Sequence, residues 1–101
     1  MDTQQLITER GRTHGPFSLN ATMSQSLKAQ IHGTHGWYRL TATQAESLDM
    51  ICHKIGRILA GDANHVDHWF DIAGYAQLVV NELTKEPTCT ETPNKATANT
   101  R

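Results

Sequence analysis

Residues 41–84 read TATQAESLDMICHKIGRILAGDANHVDHWFDIAGYAQLVVNELT, and this stretch decides the fold. Apolar side chains recur in steps of three and four: Ala45, Leu48, Ile51, Cys52, Ile55, Ile58 and Leu59, then Trp69, Ile72, Ala73, Ala76, Val79, Val80 and Leu83. That spacing places one apolar stripe on each of two helices. Gly61-Asp62-Ala63-Asn64-His65 between them reads as a turn, with Gly61 as a left-handed C-cap. Thr41 or Thr43 starts the first helix, because each begins a Thr-x-x-Gln/Glu capping pattern. The pair reads as antiparallel helices over 43–60 and 67–84.

Outward from this hairpin, Leu19–His32 forms an earlier helix with Met23, Leu27 and Ile31 on one face and Ser18 as its cap. Residues 3–10 form a short helix that Asp2 and Gln5 cap. Gly11-Arg12-Thr13-His14-Gly15-Pro16 breaks it. Trp37, Tyr38 and Leu40 read as an extended connection across one end of the bundle. Residues 85–101, with Thr, Pro and Asn but almost no large apolar side chain, read as a disordered tail. No strand alternation is present. The expected fold is all-α: a small helical bundle of three main helices plus a short N-terminal helix, with a helical domain over 1–84.

A chain of 101 residues allows one domain. Its nine basic and ten acidic residues give a net charge of −1, which argues against a nucleic-acid polymer as partner. Cys52 sits on a helix stripe and Cys89 in the tail, so the two read as reduced thiols. The first residues lack the apolar core of a signal peptide, and no stretch is apolar enough to span a membrane. The expected location is the cytoplasm. Trp37, Tyr38, Trp69 and Phe70 are more aromatic surface than so small a bundle buries, so a homo-oligomer is expected.

The polar residues of the hairpin carry the chemistry. Glu46, Asp49, His53 and Arg57 lie three, four and four apart on one stripe. Asp67, His68, Asp71 and Tyr75 line the start of the next helix. Each set also has a plain reading, as a solvated face with ordinary ion pairs. The chemical reading is that Lys54 and Arg57 meet phosphates, the Arg through its two-pronged guanidinium. In an antiparallel hairpin these bases stand level with Asp67, Asp71 and Tyr75, and Asp71 holds them. Glu46 and Asp49 lie two or more turns away. Arg12 and His14, on flexible backbone, are further phosphate candidates, and Tyr75 or Trp69 can stack on a base. Gly56 and Gly74, inside helices, imply close backbone approach or room for a ligand.

The stretch Ala45–Leu59, with Gly61-Asp62, Asp67–Ala76 and the early Glu9-Arg10-Gly11 and His14-Gly15-Pro16-Phe17, resembles a small family of phage and prophage proteins. Asp71-Ile72-Ala73-Gly74-Tyr75-Ala76 is the most specific part of the likeness. More remotely, the chain is similar to the all-α nucleoside triphosphate pyrophosphohydrolases of the MazG-like and dimeric dUTPase kind. That resemblance implies a magnesium site made of a Glu-x-x-Glu pair and a Glu-x-x-Asp pair. Asp71 matches the last acid, but His68 stands where the preceding Glu belongs, and residues 19–32 contain no acid. The expectation is therefore a phage-type protein, in the host cytoplasm if phage-encoded. It binds a nucleotide or a nucleotide-derived signal such as a cyclic oligonucleotide, without chemistry or cofactor, and so blunts host defence. Its expected ligand-binding residues are Arg12, His14, Lys54, Arg57, His68, Asp71 and Tyr75. One alternative is a magnesium-dependent pyrophosphohydrolase with Glu46, Asp49, Asp67 and Asp71 around the metal. The other is a protein–protein interaction module.

Overall fold

Four helices make up the computed structural model: α1 (Thr3–His14), α2 (Phe17–His32), α3 (Ala42–Ala60) and α4 (Val66–Thr84). The structure describes residues 2–85, and the tail expected over 85–101, with Cys89, lies outside them but for Lys85. No strand occurs among the described residues. The fold is all-α, a small bundle of three main helices and an N-terminal one.

Two of the helix starts follow from local sequence. Asp2 caps α1 by a reciprocal pair of bonds with Gln5, 2.8 and 2.7 Å long. Thr41 caps α3 in the same way with Gln44, so Thr41, not Thr43, begins that helix. Other termini depart from the sequence reading. α1 runs through Gly11 to His14, and Gly15 ends it. One glycine inside a capped helix costs about 1 kcal/mol, too little to break it. Pro16 stands at the N-cap of α2, so that helix begins at Phe17 without a side-chain cap, and Ser18 lies inside it. Gly61 has φ −119°, so it is not a left-handed cap. Residues His35–Arg39 form a 3-10 turn capped by the Thr34 hydroxyl, not an extended connection. In that turn the Trp37 ring packs against His32 with centroids 4.2 Å apart, while Tyr38 points into solvent.

α3 is the middle of the layer, packed on α2 along one side and on α4 along the other. The α3–α4 pair is antiparallel, as expected. The Thr41 hydroxyl donates to Glu82 at one end, 2.9 Å away, and Lys54 meets Asp71 towards the other. Gly56 is the close approach between α3 and α2: a Cβ there would lie 2.7 Å from the Asn20 carbonyl oxygen. Gly74 faces open space. Among the described residues, Cys52 is the sole apolar side chain buried within the chain. Much of the apolar stripe read from the sequence, including Leu48, Leu59, Trp69, Val80 and Leu83, is exposed.

Candidate functional site

The end of α1 meets the α3–α4 turn, and this corner organises the polar residues. The last carbonyls of a helix lack partners within it. At α1 the Thr13 carbonyl accepts from the Asp62 backbone N–H at 3.0 Å and from the His68 ring at 2.8 Å. A carbonyl only accepts, so His68 carries its proton on Nε2. Gly15 and Gly61 allow the contact. A Cβ on Gly15 would lie 2.0 Å from the Ala60 carbonyl oxygen, and one on Gly61 2.3 Å from that of Thr13. Gly15 also has φ 74° and ψ −175°, a conformation open essentially to glycine alone.

Three imidazoles gather here. His14 lies edge-on to His68 at 5.0 Å, and His65 does the same at 4.8 Å. His68 is 2% exposed and committed to Thr13. It therefore positions the corner, and it is not among the residues that line the cavity between α1, α2 and α3. Burial, and then the nearby Arg57, His68, Lys54 and His65, hold the His14 pKa down at about 4. At neutral pH His14 is uncharged.

Lys54 is buried on α3 and ion-pairs with Asp71 of α4 at 2.9 Å. The Lys54 hydrogen bond holds the Asp71 carboxyl below its usual range. Asp71 was expected to hold Arg57 as well, but among the described residues Arg57 forms no ion pair, and its buried Nε has no hydrogen-bond partner. Burial and the nearby Arg10 push the Arg57 guanidinium down from its usual value, against the pull of Asp71 and Tyr75. It stays protonated at neutral pH.

Arg57 opens instead into a cavity of about 480 Å³ between α1, α2 and α3. Arg10, His14, Asn20 and Arg57 are its polar lining; Ile7, Pro16 and Phe17 form an apolar wall. No acid lines it. The volume is within the range of pockets that hold small molecules, about 300–1,000 Å³. In its lining, Asn20 is 3% exposed and its Oδ1 has no partner among the described residues; one turn further along α2 the same holds for the buried Ser24 hydroxyl oxygen. Buried polar atoms without partners are uncommon, and a water or a ligand group can satisfy them.

The other expected site residues scatter. Arg12 is outside the cavity on the exposed side of α1, paired with Glu9 at 3.3 Å. Tyr75 lines a separate hollow of about 350 Å³ on α4, with Phe70, Asp71, Gly74 and Leu78. Asp49 is bound to His32 of α2 at 2.6 Å, Asp67 lies 3.6 Å from His65, and Glu46 is exposed. Among the described residues no group of three or more His, Cys, Asp or Glu can hold a metal ion. Glu46, Asp49, Asp67 and Asp71 thus form no common site within one chain: the antiparallel register keeps the α3 acids at the opposite end from the α4 acids. Arg10, Phe17 and Asn20 were not among the expected site residues. Arg10 carried a signal, standing one turn before His14 on the same helix face. The role of Asn20 depends on Gly56 across the interface and has no local signal.

The chain matches no protein-family model, no curated protein and no solved structure. No helix among the described residues is long and apolar enough to cross a membrane.

Proposed function

We propose that this is a nucleotide-binding protein that captures a nucleotide or nucleotide-derived signal without chemistry. The phage setting, the cytoplasmic location and the blunting of a host defence signal belong to the same reading. One observation supports it above the alternatives. Arg10 and Arg57 line one cavity, and among the described residues no acid lines it and neither Arg is ion-paired. Two guanidinium groups held together without a counter-charge repel each other, and an anion relieves that repulsion. Phosphate is the anion a guanidinium fork fits best. The apolar wall of Ile7, Pro16 and Phe17 gives a base or ribose something to lie on, with Phe17 available for stacking. The neutral His14 ring adds a hydrogen-bonding group without further charge.

The test is calorimetric titration of the full chain with ADP and with a cyclic dinucleotide. Arg57→Ala and Arg10→Ala are each expected to weaken binding about 10- to 100-fold, the worth of one charged hydrogen bond of about 1.5–3 kcal/mol. Helix content should stay unchanged. If neither probe binds the wild-type chain, or if both variants bind as the parent does, the reading is wrong. Magnesium-dependent release of pyrophosphate from a nucleoside triphosphate, lost in Asp71→Asn, would replace it with the hydrolytic one.

A further inference from the structure

α4 has two apolar seams, and the bundle uses one. His68, Ile72, Tyr75 and Val79 face α3 and are buried or half-buried. Val66, Trp69, Ala73, Ala76, Val80 and Leu83 lie on the adjoining face, about a quarter-turn round the helix, at alternating steps of three and four. This is the a/d spacing of a coiled-coil seam, with a period of 3.5 residues. It runs for about 26 Å along the helix. All six residues are exposed: Val66 is 56%, Trp69 52%, Val80 48% and Leu83 65% accessible. We infer that this seam is covered by the same seam of a second copy of the chain, in antiparallel orientation.

The choice of occupant rests on four observations. The chain buries a single apolar side chain of its own, Cys52, among the described residues. A fold with so little core needs a partner present whenever it folds, and a second copy always is. Residues 86–101, EPTCTETPNKATANTR, offer no large apolar side chain to set against the seam. A lipid surface is disfavoured as well: α4 contains Asp67, Asp71 and Glu82 but no Lys or Arg, whereas helices that lie on membranes are basic on their polar face. The flanks of the seam carry no charge. Phe70, Gln77 and Thr84 stand on one side and Ile72 and Val79 on the other, so two copies approach without like-charge repulsion.

Antiparallel order follows from the sizes of the residues. Turned about its midpoint, the seam sets Ala73 opposite Ala76, Trp69 opposite Val80 and Val66 opposite Leu83. The small pair sits at the centre, where it lets the helices approach closely, and the large residues interlock outside it. The opposed macrodipoles favour the same order. None of the residues lining the Arg10–Arg57 cavity is on α4, so this proposal and the nucleotide reading fail independently.

Sedimentation of the full chain at tens of micromolar tests the assembly. A dimer or a higher even assembly is expected; a monomer overturns the proposal, whether folded or molten. Ala76→Glu places two charges in the seam and should shift the chain to monomer. Because such a variant can also lose its fold, cross-linking provides the second measurement. In a Cys89→Ser background, chains carrying Ala73→Cys are mixed with chains carrying Ala76→Cys and mildly oxidised. A disulfide between the two kinds of chain is expected to form in preference to either homodisulfide. No inter-chain disulfide, or homodisulfides in equal yield, overturns the antiparallel seam.

Discussion

The corner where α1 meets the α3–α4 turn and the outer face of α4 solve the same problem in opposite ways. Both must satisfy groups that cannot be left to water or left alone. The corner does so inside one chain, with glycines at van der Waals distance and a doubly accepted carbonyl at Thr13. The outer face of α4 leaves an apolar seam that no described residue of its own chain covers. One region is specified by backbone contact and the other by side-chain pattern. The difference explains which substitutions each tolerates. At the corner a single methyl group matters; on the outer face a methyl group is absorbed and a charge is not.

The largest effect should come from Gly15→Ala. The new Cβ meets the Ala60 carbonyl oxygen at 2.0 Å, and the backbone sits where only glycine is at ease. Strain of this kind costs about 1–3 kcal/mol before the clash is counted. The expected loss is about 3 kcal/mol or more, read from chemical denaturation. If Gly15→Ala melts like the parent, the corner is not the rigid half of the molecule and the comparison collapses.

A smaller effect should appear with pH. His14 has a folded pKa of about 4 against 6.5 in the unfolded chain, through burial first and then Arg57, His68, Lys54 and His65. Between those two values the unfolded state binds the extra proton, so stability falls as pH drops from 6.5 towards 4. His53, also lowered by burial and by Arg57, Lys28 and Lys54, adds to the same slope. Asp71 contributes lower down. Its folded pKa lies below the usual 3.8, so its pairing with Lys54 is intact above that pH and is lost as pH falls through the folded value. The thermal midpoint should therefore decline between pH 6.5 and 4, and His14→Gln should flatten part of that decline. An unchanged slope in His14→Gln would place His14 in water and loosen the corner.

What the sequence revealed and what it hid divide along the same line. Capping by Asp2 and Thr41, the apolar stripes, the antiparallel hairpin and the Lys54–Asp71 pair are all legible, because each depends on residues within a helix or on register between two adjoining helices. The end of α1 was not legible. Gly11 and Gly15 both read as breakers, yet Gly15 alone precedes a proline and packs on Ala60, and it is the one that ends the helix. The same limit hid the partner of His68, whose ring bonds a carbonyl 55 residues away in the chain. It also paired Arg57 with Asp71, when Lys54 takes that carboxylate and leaves Arg57 to the cavity beside Arg10. Helix spacing says which face a side chain is on; it does not say which neighbour arrives there.

The smallest effect is the most discriminating, because it concerns two glycines that the sequence treats as equals. Gly56 and Gly74 both lie inside long helices and both suggest close approach. At Gly56 a Cβ would come within 2.7 Å of the Asn20 carbonyl oxygen, so Gly56→Ala must push α2 off α3 and should destabilise. At Gly74 nothing lies within 4 Å, so Gly74→Ala adds only helix propensity and should stabilise by about 0.5–1 kcal/mol. Gly74 follows Ala73 in the chain but is turned away from the seam, towards the hollow lined by Phe70, Asp71, Tyr75 and Leu78. If Gly74→Ala stabilises the dimer in thermal melts, the two helices cross at the alanines and leave room at their flank. If it destabilises at high protein concentration yet not on dilution, the second copy is closer at Gly74 than the seam implies, and the crossing shifts by one position. Either result fixes where the outer face of α4 ceases to be open surface and becomes as exacting as the corner at Gly15.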